Sequence, residues 1–124
     1  MSSFPVDKRY NYSLISIKNI YVYEFIADFL DNKKKIVEKE AGLGTIRPFY
    51  KERMVEGDPP GMVRNKVDYE KIANLEKVFS GIDKESLPPI TLKKVSGGYM
   101  VINGMHRFTM SLLYRYKSIP AQIK

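Results

Sequence analysis

Apolar residues recur along the chain with a period that changes from segment to segment. In Leu14-Ile-Ser-Ile-Lys-Asn-Ile20 they alternate imperfectly with polar ones, which predicts a first strand after a polar, Tyr-rich start expected to be loosely ordered. From Tyr23 to about Ala41, Phe25, Ile26, Phe29, Leu30, Ile36 and Val37 fall near helical spacing, and Gly42 with Gly44 supplies a stop. The run Asp31-Asn-Lys-Lys-Lys35 inside that helix reads as a solvated face or as a break between two shorter helices.

Thr45 to Lys66 shows no period and contains Gly57-Asp-Pro-Pro-Gly61, so a long loop is predicted there. Asp68 is placed to cap a second helix whose Ile72, Leu75, Val78, Phe79 and Ile82 share one face, with Gly81 near its end. Leu87-Pro-Pro89 forbids helix, and Ile90-Thr-Leu-Lys-Lys-Val95 then alternates as a half-buried strand. Ser96-Gly-Gly98 predicts a hairpin turn and Tyr99-Met-Val-Ile102 the returning strand. A short helix follows with Phe108, Leu112, Leu113 and Tyr116 on one face, and Ile119-Pro-Ala-Gln-Ile123 closes the chain as a strand. The expected class is α+β: a small mixed sheet with packed helices, in one domain spanning residues 1–124.

Composition narrows the chemistry. There is no cysteine, which removes disulfides, thiol catalysis and the common zinc sites, and a single histidine cannot build a multi-histidine metal site. No stretch approaches the roughly 18 apolar residues of a membrane span, and the start lacks the apolar core of a signal peptide. No membrane partner is expected, and the cytoplasm is the default location. Twenty-one Lys and Arg against fourteen Asp and Glu leave a net charge of +7, which favours an anionic partner such as a nucleotide, nucleic acid or phosphorylated metabolite.

The chain's one histidine stands in Asn103-Gly104-Met105-His106-Arg107, where a predicted strand becomes a helix. The unpaired amides of a first helical turn point outward with the positive end of the dipole, so such a turn suits a phosphate. Gly104 would let the anion approach the backbone, His106 could donate from a ring nitrogen, and Arg107 could grip two oxygens. Asn103 could serve as the cap. Beside this stands the bland alternative of a capped helix start with solvated side chains. With an ordinary pKa near 6.5, His106 could also carry a proton, and the donor role is favoured here.

From Asp68 to Ile123 the chain reads "EKIANLEKVFSGI", "LPPITL", "GGYMVINGMHR" and "IPAQI". That order resembles the domain shared by ParB partition proteins and sulfiredoxins: a helix, a "PPI" strand, a hairpin, a Gly-x-His-Arg type of turn, a helix and an "IPA" strand. Residues 67–124 carry the likeness best, while 12–66 supply the first strand, an extra helix and the long loop. Leu14 to Ile20 falls on the family's opening strand, and Thr45-Ile-Arg-Pro48 corresponds to its phosphate-side arginine loop, which adds Arg47 to the expected nucleotide contacts. Sulfiredoxins carry the catalytic cysteine where this chain has Met105. A thioether cannot become a thiolate, so sulfiredoxin activity is not expected. The phosphate grip does not need that cysteine, and the resemblance implies a nucleoside triphosphate, ATP or CTP with magnesium, at Asn103 to Arg107. In ParB proteins the domain precedes a helix-turn-helix and a dimerisation segment; this chain ends at Lys124, and neither is expected in it.

Phosphoryl transfer or nuclease chemistry would need carboxylates to hold magnesium. Glu24, Glu52, Glu56, Asp58 and Asp68 are available, but no tight acidic cluster singles out a ligand set. Arg47, Lys51, Arg53, Arg64 and Lys66, with Arg115 and Lys117, could form a basic nucleic-acid surface interleaved with Tyr50, Tyr114 and Tyr116. Three readings therefore stand: a nucleotide-binding domain with NTPase or nuclease activity left open, a non-catalytic nucleic-acid or protein-binding module, and a small-molecule kinase.

Overall fold

The computed structural model describes residues 4–30, 53–55 and 68–124. Its main sheet has four strands in the order β1-β6-β4-β5: β1 (Ser13–Ser16), β4 (Ile90–Val95), β5 (Gly98–Asn103) and β6 (Ser118–Ile123). A two-stranded parallel sheet joins β2 (Val22–Tyr23) to β3 (Met54–Val55). Three helices complete the described chain: α1 over 24–30, α2 (Tyr69–Phe79) and α3 (Met105–Leu113). The architecture is α+β with a mixed sheet, as the periodicity predicts.

The hairpin β4–β5 is antiparallel, with Val95 opposite Gly98, so Ser96 and Gly97 alone make the turn. From β5 the chain crosses through α3 and returns in β6, which lies parallel to β4 and antiparallel to β1. Pro120 lacks a ladder donor, yet sits in a strand with neighbours on both sides. The register accommodates it: β4 begins opposite Ala121, one residue later.

Several boundaries differ from the sequence reading, each for a physical reason. The first strand stops at Ser16 because Ile17–Asn19 turn into a 3-10 helix that buries Ile17. The residues before it are not loose: Phe4 is buried, Asp7 N–H donates to the Leu87 carbonyl, and Leu87 N–H donates to Pro5. Val22 and Tyr23 pair with Met54 and Val55, so the predicted loop from Thr45 to Lys66 contains a strand and the first long helix begins at residue 24. Two-residue strands leave no period to detect. The continuation of that helix toward Ala41, the Asp31 to Lys35 run and the Gly42 to Gly44 stop lie outside the described residues.

Helix α2 is capped as expected: the Asp68 carboxylate accepts from the backbone N–H groups of Glu70 and Lys71. The helix ends at Phe79, and Gly81 follows in a left-handed conformation. Ile82 therefore leaves the apolar face and is largely exposed. Helix α3 is apolar on more than the predicted face, since Phe108 through Leu113 are all buried. Its Thr109 and Ser111 hydroxyls donate back to the carbonyls of Met105 and Phe108, which satisfies them inside the core. This buried helix fixes the place of the turn that precedes it.

Candidate functional site

The turn is built by three constraints. Strand β5 ends at Asn103, and Gly104 takes φ +98° as the N-cap of α3, with its carbonyl accepting from Phe108 N–H. A Cβ on Gly104 would lie 2.6 Å from Ile90 Cγ2 and 2.8 Å from Arg107 Nη2, so both conformation and close packing require glycine. Asn103 is exposed at the end of the strand and is not the cap. The amides of Met105, His106 and Arg107 form the first turn of α3, where backbone donors have no intrahelical partner.

The Arg107 guanidinium lies against Gly104, and its Nη1 donates to the carbonyls of Pro88 and, at 3.2 Å, Pro89. Carbonyls orient the group without neutralising it, and no carboxylate pairs with it among the described residues. Partial burial lowers its pKa, but an arginine stays charged. The consequence is a fixed positive charge beside the first turn of α3.

His106 stands in the turn and lines the cleft beside it, with one ring nitrogen already occupied. Its Nε2 accepts from the Asp68 backbone N–H at 3.0 Å, which assigns the ring proton to Nδ1 in the neutral form. Burial pushes its pKa below 6.5 and the Lys71 charge adds to this, while Asp68 opposes. Nε2 is thus committed to joining the starts of α2 and α3, and only Nδ1 remains to donate to a ligand. Met105 is partly buried against the core.

The turn opens into a cleft of about 400 Å³. One wall is the turn itself; the other is a helical stripe of α2, with Lys71, Asn74, Leu75 and Val78, and Glu85 and Leu87 lie at its margin. A position-by-position reading of the sequence missed Lys71 and Asn74. Their spacing on the same helix as Leu75 and Val78 was a usable signal, but only the packing of α2 beside α3 gives it meaning.

Of the basic surface anticipated for nucleic acid, Arg53, Arg115 and Lys117 fall within the described residues. Arg53 is tied down: its Nη2 donates to the carbonyls of Asn19 (3.2 Å) and Gly97 (2.6 Å), and its guanidinium lies 4.4 Å from the Tyr21 ring centroid. Arg115 follows α3 at its far end with φ +57°, its N–H donating to Leu112 while Tyr116 N–H donates to Ser111, a Schellman closure. Tyr114 and Tyr116 pack on Phe79 at ring separations of 5.7 and 5.9 Å, and Tyr116 is buried. Rings used in an aromatic core are not available to stack on bases. Arg47, Lys51, Arg64, Lys66 and Tyr50 lie outside the described residues, as do Glu52, Glu56 and Asp58. Among the described residues no group of three acidic or histidine side chains could hold a metal ion, so no magnesium site is derived. No described helix is long and apolar enough to cross a membrane.

No protein-family model matches the chain, and no curated protein matches it in sequence. Among solved structures the fold is similar to sulfiredoxin from Arabidopsis thaliana, with 14% identity, a TM-score of 0.47, and coverage of 92% of this chain and 84% of that one. It is also similar to the C-terminally truncated chromosome-partitioning protein ParB from Caulobacter crescentus, complexed with CTP-gamma-S, at 20% identity and a TM-score of 0.42. There 53% of this chain is covered, and 37% of the other. These are the two families that the order of strand, turn and helix motifs resembles.

Proposed function

We propose that this protein binds the phosphate groups of a nucleoside triphosphate in the cleft before α3. The observation that carries this reading is the Arg107 guanidinium, paired with no carboxylate among the described residues and held by two prolyl carbonyls beside the first turn of α3. A fixed cation next to unpaired amides favours an anion without reorganisation, and a phosphate fits both. The Gly104 to Arg107 turn supports the same reading through its resemblance to the Gly-x-His-Arg turn. In this reading the Met105, His106 and Arg107 amides and the Arg107 fork hold phosphate, and His106 Nδ1–H is the remaining side-chain donor. His106 acts as a neutral brace rather than a proton carrier.

The test is thermal unfolding of the wild type, Arg107→Ala and Arg107→Lys with ATP, CTP, GTP and ADP, each with and without magnesium. A ligand present at about a hundred times its dissociation constant stabilises the fold by roughly 2.7 kcal/mol. The expected outcome is a shift with at least one nucleotide in the wild type, lost in Arg107→Ala. Equal unfolding temperatures with and without every nucleotide would refute the proposal.

A further inference from the structure

A second, larger groove of about 760 Å³ shares only Val78 and Glu85 with the cleft before α3, and the proposed function leaves it without a role. Its size is that of a small-molecule site. The floor is aromatic: Phe4, Phe79 and Tyr116 meet edge-on, with ring centroids 5.2, 5.9 and 5.9 Å apart, and all three line the groove while almost wholly buried. Leu14 of β1 and Pro120 of β6, paired in the ladder, form an apolar wall above it. Ile15, opposite Ile119, packs against the core, so Leu14 takes the other face of the strand and is 66% exposed. A lone exposed leucine is ordinary surface. This one continues an apolar wall down to buried rings.

The polar rim is uneven. Lys8, before β1, and Lys117, before β6, border the groove in segments that contribute no carboxylate to its lining. Asp7, next to Lys8, is paired with Arg9 and does not line the groove. Asp83, Lys84 and Glu85 lie together in the loop after α2, where the Asp83 carboxylate accepts from the Glu85 backbone N–H. Among the described residues none of the three lysines makes an ion pair. Lysines beside an apolar wall suit a ligand with an apolar body and an anionic group, because their alkyl stems extend the wall while the ammonium groups stay at its edge. Rings on the floor favour an aromatic body, which they meet edge to face. We infer that this groove is a binding site for a small aromatic carboxylate, its ring seated against Leu14, Pro120 and the Phe4–Phe79–Tyr116 floor and its charge met by Lys8 and Lys117. The site is independent of the nucleotide reading, since no residue of the turn before α3 lines it.

The experiment is an NMR titration of the isotopically labelled chain with phenylbutyrate and with phenylbutanol, which has the same body and no charge. Leu14→Asp, Lys117→Gln and, as a control on exposed Lys94 of β4, Lys94→Gln are titrated in parallel, each checked for folding by circular dichroism. Phenylbutyrate is expected to give saturable shifts centred on Tyr12, Leu14 and Ser118, with phenylbutanol binding more weakly. Lys117→Gln is expected to weaken the carboxylate about two- to fivefold, the worth of one exposed ion pair, and Lys94→Gln to leave it unchanged. Folded Leu14→Asp, with a like charge in the apolar wall, is expected to lose binding. Equal affinity for the two probes would overturn the role of the lysines. Shifts centred on the Met105 to Arg107 amides, or no saturable shift at the groove, would overturn the site. Shifts of the same groove amides on raising protein concentration without probe would overturn it in favour of a second copy of the chain.

Discussion

Replacing Gly104 with alanine tests whether the turn is built as described. Two effects act at this position. At φ +98° any residue with a Cβ adopts a left-handed conformation, which costs about 1–2 kcal/mol. The new Cβ would also lie 2.6 and 2.9 Å from Ile90 Cγ2 and Cβ and 2.8 Å from Arg107 Nη2. Ile90 is fully buried in β4 and cannot swing away, so this overpacking adds about 1–3 kcal/mol.

Gly81 is the control. It has φ +84° with nothing within 4 Å of an added Cβ, so alanine there meets the conformational cost alone. The gain from a stiffer unfolded chain is shared by both variants and cancels in the comparison. Gly104→Ala should therefore unfold about 1–3 kcal/mol more easily than Gly81→Ala, or about 4–12 °C lower for a chain of this size. Circular dichroism during heating, checked by urea unfolding, measures both. Equal losses in the two variants would refute the close approach of Gly104 to Ile90 and Arg107.

Further expectations concern the pieces around the turn. Because the folded state holds His106 neutral and lowers its pKa, the unfolded chain binds more protons below 6.5; stability should fall as pH drops through 6.5 toward the folded value. His106→Gln should remove that component of the pH slope in urea titrations. Arg53→Met should destabilise by about 1–2 kcal/mol through lost hydrogen bonds to Asn19 and Gly97 and the lost contact with Tyr21, while leaving nucleotide binding unchanged by calorimetry. Phe108→Ala, at a fully buried position under the turn, should cost about 3–5 kcal/mol in urea unfolding.

What the sequence made legible follows from where single residues decide structure. Asp68 marks a cap and the run from Ile90 to Val95 marks β4 at both ends, because capping and strand formation act over a few adjacent residues; the burial does not alternate, since Ile90, Thr91 and Leu92 are all buried and Lys93 and Lys94 exposed. The strand-to-helix change at Gly104 was equally readable, since Asn-Gly there separates two periods. The β2–β3 pair was not, as each strand is two residues long and is held by a partner far away in sequence. Tyr114 and Tyr116 looked like candidate stacking rings; only the fold shows them closing on Phe4 and Phe79. His106 is the sharpest case. Its place beside Arg107 suggests a donor, a role left to Nδ1 alone because Nε2 accepts from the backbone N–H of Asp68, the cap of another helix, and no local pattern encodes that meeting.

Amide NMR tests the proposed anion site on the first turn of α3 at the atoms concerned. In a nucleotide titration of the isotopically labelled protein, the account predicts that the Met105, His106 and Arg107 amides shift first and most, saturating together, and that Arg107→Ala abolishes the response. Saturable shifts centred elsewhere, with these three amides unmoved, would contradict it.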